Sequence, residues 1–183
     1  MILLIVLGIV ALFLVIFIGY FNRIVVLGNR IRNAWSQIDV QLKKRTDLVP
    51  NLVETVKGYA KHEKKIFLEV AKARERMVSA TNVSEKMKAG NELGRALKSI
   101  FAIAENYPKL QANENFKLLQ EQLEGIENKV AYARQFYNDT VLIYNNMVTT
   151  FPGILFASVI GKKSEPYFEV SESERKPVKV KFE

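Results

Sequence analysis

Twenty consecutive residues near the start of the chain, 2–21, carry no charged and no amide side chain. As a helix rising about 1.5 Å per residue, such a run spans roughly 30 Å, the thickness of a bilayer's hydrocarbon core. A cleaved signal peptide is the first rival. It needs a basic leading region, a shorter apolar stretch and a small-residue cleavage site. Here Met1 leads straight into apolar residues, and the run ends Ile18-Gly19-Tyr20-Phe21-Asn22-Arg23 without such a site. A buried core helix of this length would show a polar face. The expectation is an uncleaved single-pass anchor, with Tyr20 and Phe21 at the interfacial aromatic belt.

Charge sets the expected orientation. Lys and Arg flanking a span stay cytoplasmic, and the C-terminal flank holds Arg23, Arg30, Arg32, Lys43, Lys44 and Arg45. This places the N-terminus outside and the rest of the chain in the cytoplasm. The formal net charge is +8. The excess is concentrated in residues 22–98, which hold 17 basic and 8 acidic side chains and could rest against anionic headgroups. Along that stretch basic and acidic residues alternate, as on a solvated helix face. A nucleic-acid partner would need a clustered basic stripe or stacking aromatics, so none is expected. With no cysteine in the chain, disulfides, thiol chemistry and Cys-based metal sites are excluded.

Beyond the anchor, apolar residues recur at alternating spacings of three and four, the mark of a helix seam. The clearest run is Phe116, Leu119, Leu123, Ile126, Val130, Ala133, Tyr137, Val141, Tyr144, Val148. Asn113 is placed to cap its start and Pro152 to end it. A second seam runs Ile24, Leu27, Ile31, Ala34, Ile38, Leu42, then Val49, Leu52, Val56, Tyr59, in register through Pro50. Two readings fit that proline. The helix breaks at residues 47–50 with Asp47 capping a new one, or it kinks at Pro50 and ends near Gly58. The second is preferred, because it makes the first soluble helix as long as the last. Helices are also expected over about 62–79 and 84–106, with Tyr107-Pro108 as the turn before the last helix. The fold class is therefore all-α: an N-terminal transmembrane helix followed by an antiparallel four-helix bundle with long first and last helices. Trp35, beside the first seam, is expected in the core, and Trp35, Pro50, Gly58 and Pro108 are the structural markers.

The expected domains are an anchor over 1–21, a bundle over 22–151, an apolar segment over 152–163 and a mostly disordered charged tail over 164–183. Residues 151–160, FPGILFASVI, are too few to span a bilayer as a helix. They are either a cap over the bundle's end or a membrane-surface segment. In the second reading Phe151, Ile154, Leu155, Phe156 and Ile160 enter the interface, and Lys162 and Lys163 meet anionic lipid.

Reactive groups do not converge in this sequence. The one histidine, His62, sits at a helix boundary. A di-iron bundle needs two histidines. Glu121, Glu124 and Glu127 form a partly shared acidic strip of the kind that solvates helices. Gly90 and Gly94 have small-xxx-small spacing in a polar helix, which points to close helix approach or local irregularity. No catalytic residue, metal or cofactor is expected.

Several stretches taken together carry a family resemblance. Residues 33–42, NAWSQIDVQL, run into Arg45 and then DLVPNLVETVKGYAKHE over 47–63. YPKLQANENF follows at 107–116, ENKVAYARQFYND at 127–139, then Tyr144-Asn145 and Phe151-Pro152. In these the chain strongly resembles the LemA family of bacterial membrane proteins. The resemblance implies a single-pass protein of the bacterial inner membrane, N-terminus outside, with a cytoplasmic helical bundle. It brings no activity, cofactor or catalytic residue. The family's association with membrane-linked peptidases and other envelope proteins implies a possible enzyme partner. The resulting expectation is a non-enzymatic scaffold that contacts the lipid bilayer and forms a homo-oligomer, or alternatively an accessory subunit or adaptor of a membrane enzyme such as a peptidase.

Overall fold

In the computed structural model of the chain, which describes residues 1–169, every regular element is a helix. Six are present among the described residues: α1 Ile2–Lys57, α2 Lys64–Ser79, α3 Val83–Ala104, α4 Pro108–Gln111, α5 Glu114–Thr149 and α6 Gly153–Val159. One of them, α1, is long and apolar enough to cross a membrane. The chain divides into two compact units. The first joins Met1–Gln37 to Ala133–Phe168, and the second centres on Ile38–Tyr132.

In the first unit, Ile24, Leu27, Ile31 and Ala34 of α1 are buried, as are Tyr137, Val141, Tyr144 and Val148 of α5. Each set follows the three-and-four spacing that puts side chains on one face of a helix. Residues 1–16 form the opposite case, a helix apolar on every face whose side chains are all exposed.

The second unit buries Ile38, Leu42, Val49, Leu52 and Val56 of α1 with Phe67 and Val70 of α2, Leu93, Leu97 and Ile100 of α3, and Phe116, Leu123 and Val130 of α5. Here α1 continues through Pro50 to Lys57, the second of the two readings. Proline has no N–H to give the carbonyl four residues back. That carbonyl belongs to Thr46, and Arg74 Nε of α2 donates to it at 3.4 Å. The helix end does not use a left-handed glycine, because Gly58 has no positive φ. Instead Tyr59 N and Ala60 N both donate to Val56 O, at 3.0 and 2.9 Å.

α3 starts slightly earlier than the seam indicates, for a capping reason. Asn82 Oδ1 accepts from Glu85 N at 2.9 Å, and the Glu85 carboxylate accepts from Thr81 N at 3.0 Å. The bond from the Thr81 backbone also holds the Glu85 carboxyl below its usual range. The connection at Tyr107-Pro108 is not a plain turn. Pro108 opens the single turn α4 at its first positions, where a missing N–H is harmless, and Leu110 is fully buried there. Asn113 then caps α5 by accepting from Phe116 N at 2.9 Å.

Candidate functional site

Three constellations gather the polar and aromatic side chains that the seams leave over. Two are in the first unit. At the end of α5 the chain turns through 87° into α6. The two faces of α6 differ. Gly153, Phe156 and Ala157 are buried, whereas Phe151, Ile154, Leu155 and Val159 are exposed. The Phe156 ring stacks on Tyr20 with centroids 4.8 Å apart and packs edge-on against Phe17 at 5.8 Å and near Phe13 at 6.2 Å. The sequence groups Phe156 with the lipid-facing residues; the structure seats it between α6 and the apolar part of α1. Ile160 is half-buried, and Lys162 and Lys163 are exposed. Val159, absent from the sequence set, joins the exposed apolar face. Gly153 permits this seat, since a Cβ there would run into the Met147 carbonyl, with Met147 C at 3.1 Å and Tyr20 Cε1 at 3.5 Å.

The second constellation holds residues 165–168, a segment outside the regular elements, against α5 by its main chain. Asn145 Oδ1 accepts from Glu165 N at 2.8 Å while its Nδ2 donates to Glu165 O at 2.9 Å. Asn138 does the same to Phe168, at 2.8 and 3.1 Å. Between them the Tyr137 hydroxyl donates to Pro166 O at 3.0 Å. The Phe168 ring is 2% exposed. It lies under the Arg134 guanidinium, 4.3 Å from the ring centroid, and beside Trp35 at 6.4 Å. Trp35, expected in the core, is half-buried and makes one wall of this groove, with Tyr137 6.2 Å away. The sequence assigns residues 164–169 to a mostly disordered tail; three of them, Glu165, Pro166 and Phe168, are fastened against α5 by main-chain hydrogen bonds that composition does not reveal. The remainder of that assignment, residues 170–183, lies outside the described residues.

Burial, and secondarily the Glu165 carboxylate, push the Tyr137 hydroxyl up to about 12. The unfolded value is about 10. The folded chain therefore keeps this proton longer than the unfolded one. The contribution to stability is complete below pH ~10 and is lost as pH rises toward 12. Unfolding free energy measured across that window should fall with pH, and Tyr137→Phe should remove that component of the fall. An unchanged slope in the variant would contradict the assignment.

The third constellation is in the second unit. Arg45 is 1% exposed. Its Nη1 donates to Gly90 O of α3 at 3.1 Å, and its Nη2 pairs with Glu127 of α5. A Cβ on Gly94 would come within 3.3 Å of Arg45 Nη1, and one on Gly90 within 3.0 Å of Leu42 Cδ2. The Gly90/Gly94 spacing thus serves the close approach of α3 to α1. Beside the pair is a cavity of about 250 Å³, walled by Leu97, Phe101 and Leu123, with Lys98 and Glu124 also on its lining. Glu127 leaves the acidic strip to serve Arg45. Among the described residues no three His, Asp or Glu side chains converge as a metal site, and His62 is exposed in the turn between α1 and α2. Lys86 of α3 also reaches Asp39 of α1, at 2.7 Å.

The groove does have a signal in the sequence. Asn138 and Asn145 are seven residues apart, so they share one face of α5. Arg45, by contrast, reads in sequence as one more flanking charge.

Residues 34–182 match the LemA family. The chain is also similar to the magnetosome protein MamQ of Magnetospirillum gryphiswaldense, 24% identical over 184 residues that cover 86% of this chain and 68% of the relative. Magnetosome proteins MamQ 1 and MamQ 2 of Paramagnetospirillum magneticum are each 25% identical over 199 residues, covering 94% of this chain and 73% of each relative.

Proposed function

This chain belongs to the LemA family, and from that premise we propose a membrane-anchored helical scaffold that assembles through helix–helix contacts and performs no reaction of its own. One observation carries the reading. The apolar, fully exposed stretch of α1 belongs to the same compact unit as the α5–α6 corner, and Phe156 is seated on it. A helix apolar all round and unburied in protein needs lipid to cover it. The anchor is then a rigid part of the unit rather than a leash.

Phe13 and Tyr20 are seven residues apart, roughly 10 Å along the helix. A helix resting on them lies at the depth where interfacial helices sit, ~5–10 Å into the headgroup–acyl boundary. This supports the membrane-surface reading of 151–160, with Phe151, Ile154, Leu155 and Val159 toward lipid and Lys162 and Lys163 toward the headgroups. Exposed Arg23, Arg30, Arg32, Lys43 and Lys44 support an N-terminus outside and a cytoplasmic remainder in a bacterial inner membrane. In the second unit, α1, α2, α3 and α5 are read as an antiparallel four-helix bundle. The reach of Arg45 to α3 and α5, and the pairing of Arg76 with Glu92 between α2 and α3, support it. Tethering raises effective concentration, so modest helix contacts suffice for assembly.

The absence of cysteine makes the test direct. A polarity-sensitive dye on Leu155→Cys in bilayer discs should emit as in an apolar medium and be quenched by lipids spin-labelled just below the headgroup. The same dye on Ser36→Cys should emit as in water. In cells, Ile2→Cys should react with an impermeant thiol reagent and Ser164→Cys should not. Aqueous emission from position 155 would remove the membrane-surface helix, and reversed labelling would invert the orientation.

A further inference from the structure

The groove on α5 takes up a segment of the chain by its main chain. Its two asparagines are spaced so that their amides match a β-type backbone. Seven helical residues advance ~10.5 Å, and three extended residues advance ~10 Å. Asn138 and Asn145 therefore meet Phe168 and Glu165 in step, each amide taking one N–H and one C=O from the segment. These contacts read main chain, so they bind an extended peptide largely regardless of side chains. Selectivity comes from two features. Pro166 presents only a carbonyl, which Tyr137 takes. An aromatic ring two residues later fills the slot between Trp35 and Arg134.

We propose that this groove exchanges its segment between copies, so that residues 165–168 of one chain occupy the Trp35–Arg134–Asn138–Asn145 groove of another. Three observations favour a second copy as the occupant. The hydrogen bonds and ring contacts that hold the segment in the groove are made by three residues, Glu165, Pro166 and Phe168, and none involves the connection leading to them. That connection is short. The end of α6 is closed by Gly161, at φ 66°, and by Lys162 N donating to Ala157 O at 2.9 Å, after which Lys163 and Ser164 are exposed. Finally, groove, segment and apolar helix belong to one compact unit. Copies inserted in one sense in a bilayer hold every groove and every segment at the same height above it, about 20 Å past Phe21 along α1 at Trp35. Segment exchange then needs only lateral approach. The proposal rests on the scaffold reading and supplies it with a specific joint.

Trp35 is the only tryptophan, so it reports the state of its own groove. A full-length chain carrying Phe168→Ala keeps its groove but lacks its own ring, and its Trp35 emission should shift to longer wavelength. It is reconstituted in vesicles with an excess of a silent full-length donor bearing Trp35→Phe, Asn138→Ala and Asn145→Ala, whose segment is intact and whose groove is weakened. The Trp35 emission should return at least halfway to the wild-type position. A donor that also carries Phe168→Ala should give no return. A second donor, Trp35→Phe with Arg134→Ala, repeats the experiment independently of the asparagines, and circular dichroism confirms that each donor is helical. No return with either helical donor would overturn the proposal. So would equal return with the ring-less donor, or return with a free peptide of residues 164–169 but not with the chain. If Phe168→Ala chains still assemble while segment exchange fails, the scaffold survives and this joint does not.

Discussion

Arg45→Ala is expected to destabilise the second unit by about 3 kcal/mol, the range for deleting a large side chain from a packed interior. The side chain is fully buried, touches α3 and α5, and borders a cavity of about 250 Å³ that its loss would enlarge. Arg45→Met separates packing from charge. Methionine refills the aliphatic volume and Glu127, half exposed, turns to water, so the loss should stay within ~1 kcal/mol. Glu127→Ala is the converse and should cost about 2 kcal/mol, because it leaves a buried guanidinium without its carboxylate. Denaturant unfolding followed by circular dichroism in detergent orders the three variants. A methionine variant as unstable as the alanine one would mean that the ion pair, rather than the packing, holds α1 to its neighbours.

Gly153→Val is expected to lift α6 off α1. The added Cβ meets the Met147 carbonyl of α5, and neither backbone can give way without breaking the corner. The rings of Phe156 and Tyr20 would separate. A penalty of at least about 2 kcal/mol corresponds to ~30-fold more of the detached state. Spin labels on Arg23→Cys and Ser158→Cys, both exposed positions, should give one narrow distance distribution in the parent chain and a broad one in the variant. Gly19→Ala is the matched control, because nothing lies within 4 Å of its Cβ direction. A narrow distribution that survives Gly153→Val would show that α6 is held by its lipid-facing side chains instead.

Local physics made the helices legible. The α5 seam from Phe116 to Val148, the Asn113 cap and the in-register passage through Pro50 all follow from neighbours within a few residues. The helix end near Gly58 is also legible, although the chain closes there on Val56 O without a left-handed glycine. What stayed hidden depends on residues far apart. Arg45 is buried because Glu127 lies 82 positions away and because Gly90 and Gly94 let α3 come close. Residues 165–168, Glu-Pro-Tyr-Phe, read as part of a charged tail because of the charged residues around them, and they are ordered by the seven-against-three match with Asn138 and Asn145, the Tyr137 hydroxyl and the slot for Phe168. Phe156 could not be assigned to lipid or protein from its spacing in a seven-residue helix, because the 87° corner decides which way it faces.

A scaffold of this kind requires that copies associate. The full-length chain, reconstituted in lipid discs wide enough for several copies and weighed by native mass spectrometry, is expected to give dimers or larger assemblies, and crosslinking in cells should give a matching ladder. A strictly monomeric chain of 183 residues, with no crosslinked partner of its own kind, would contradict self-assembly. A single stoichiometric membrane enzyme recovered in its place would make the protein an adaptor instead.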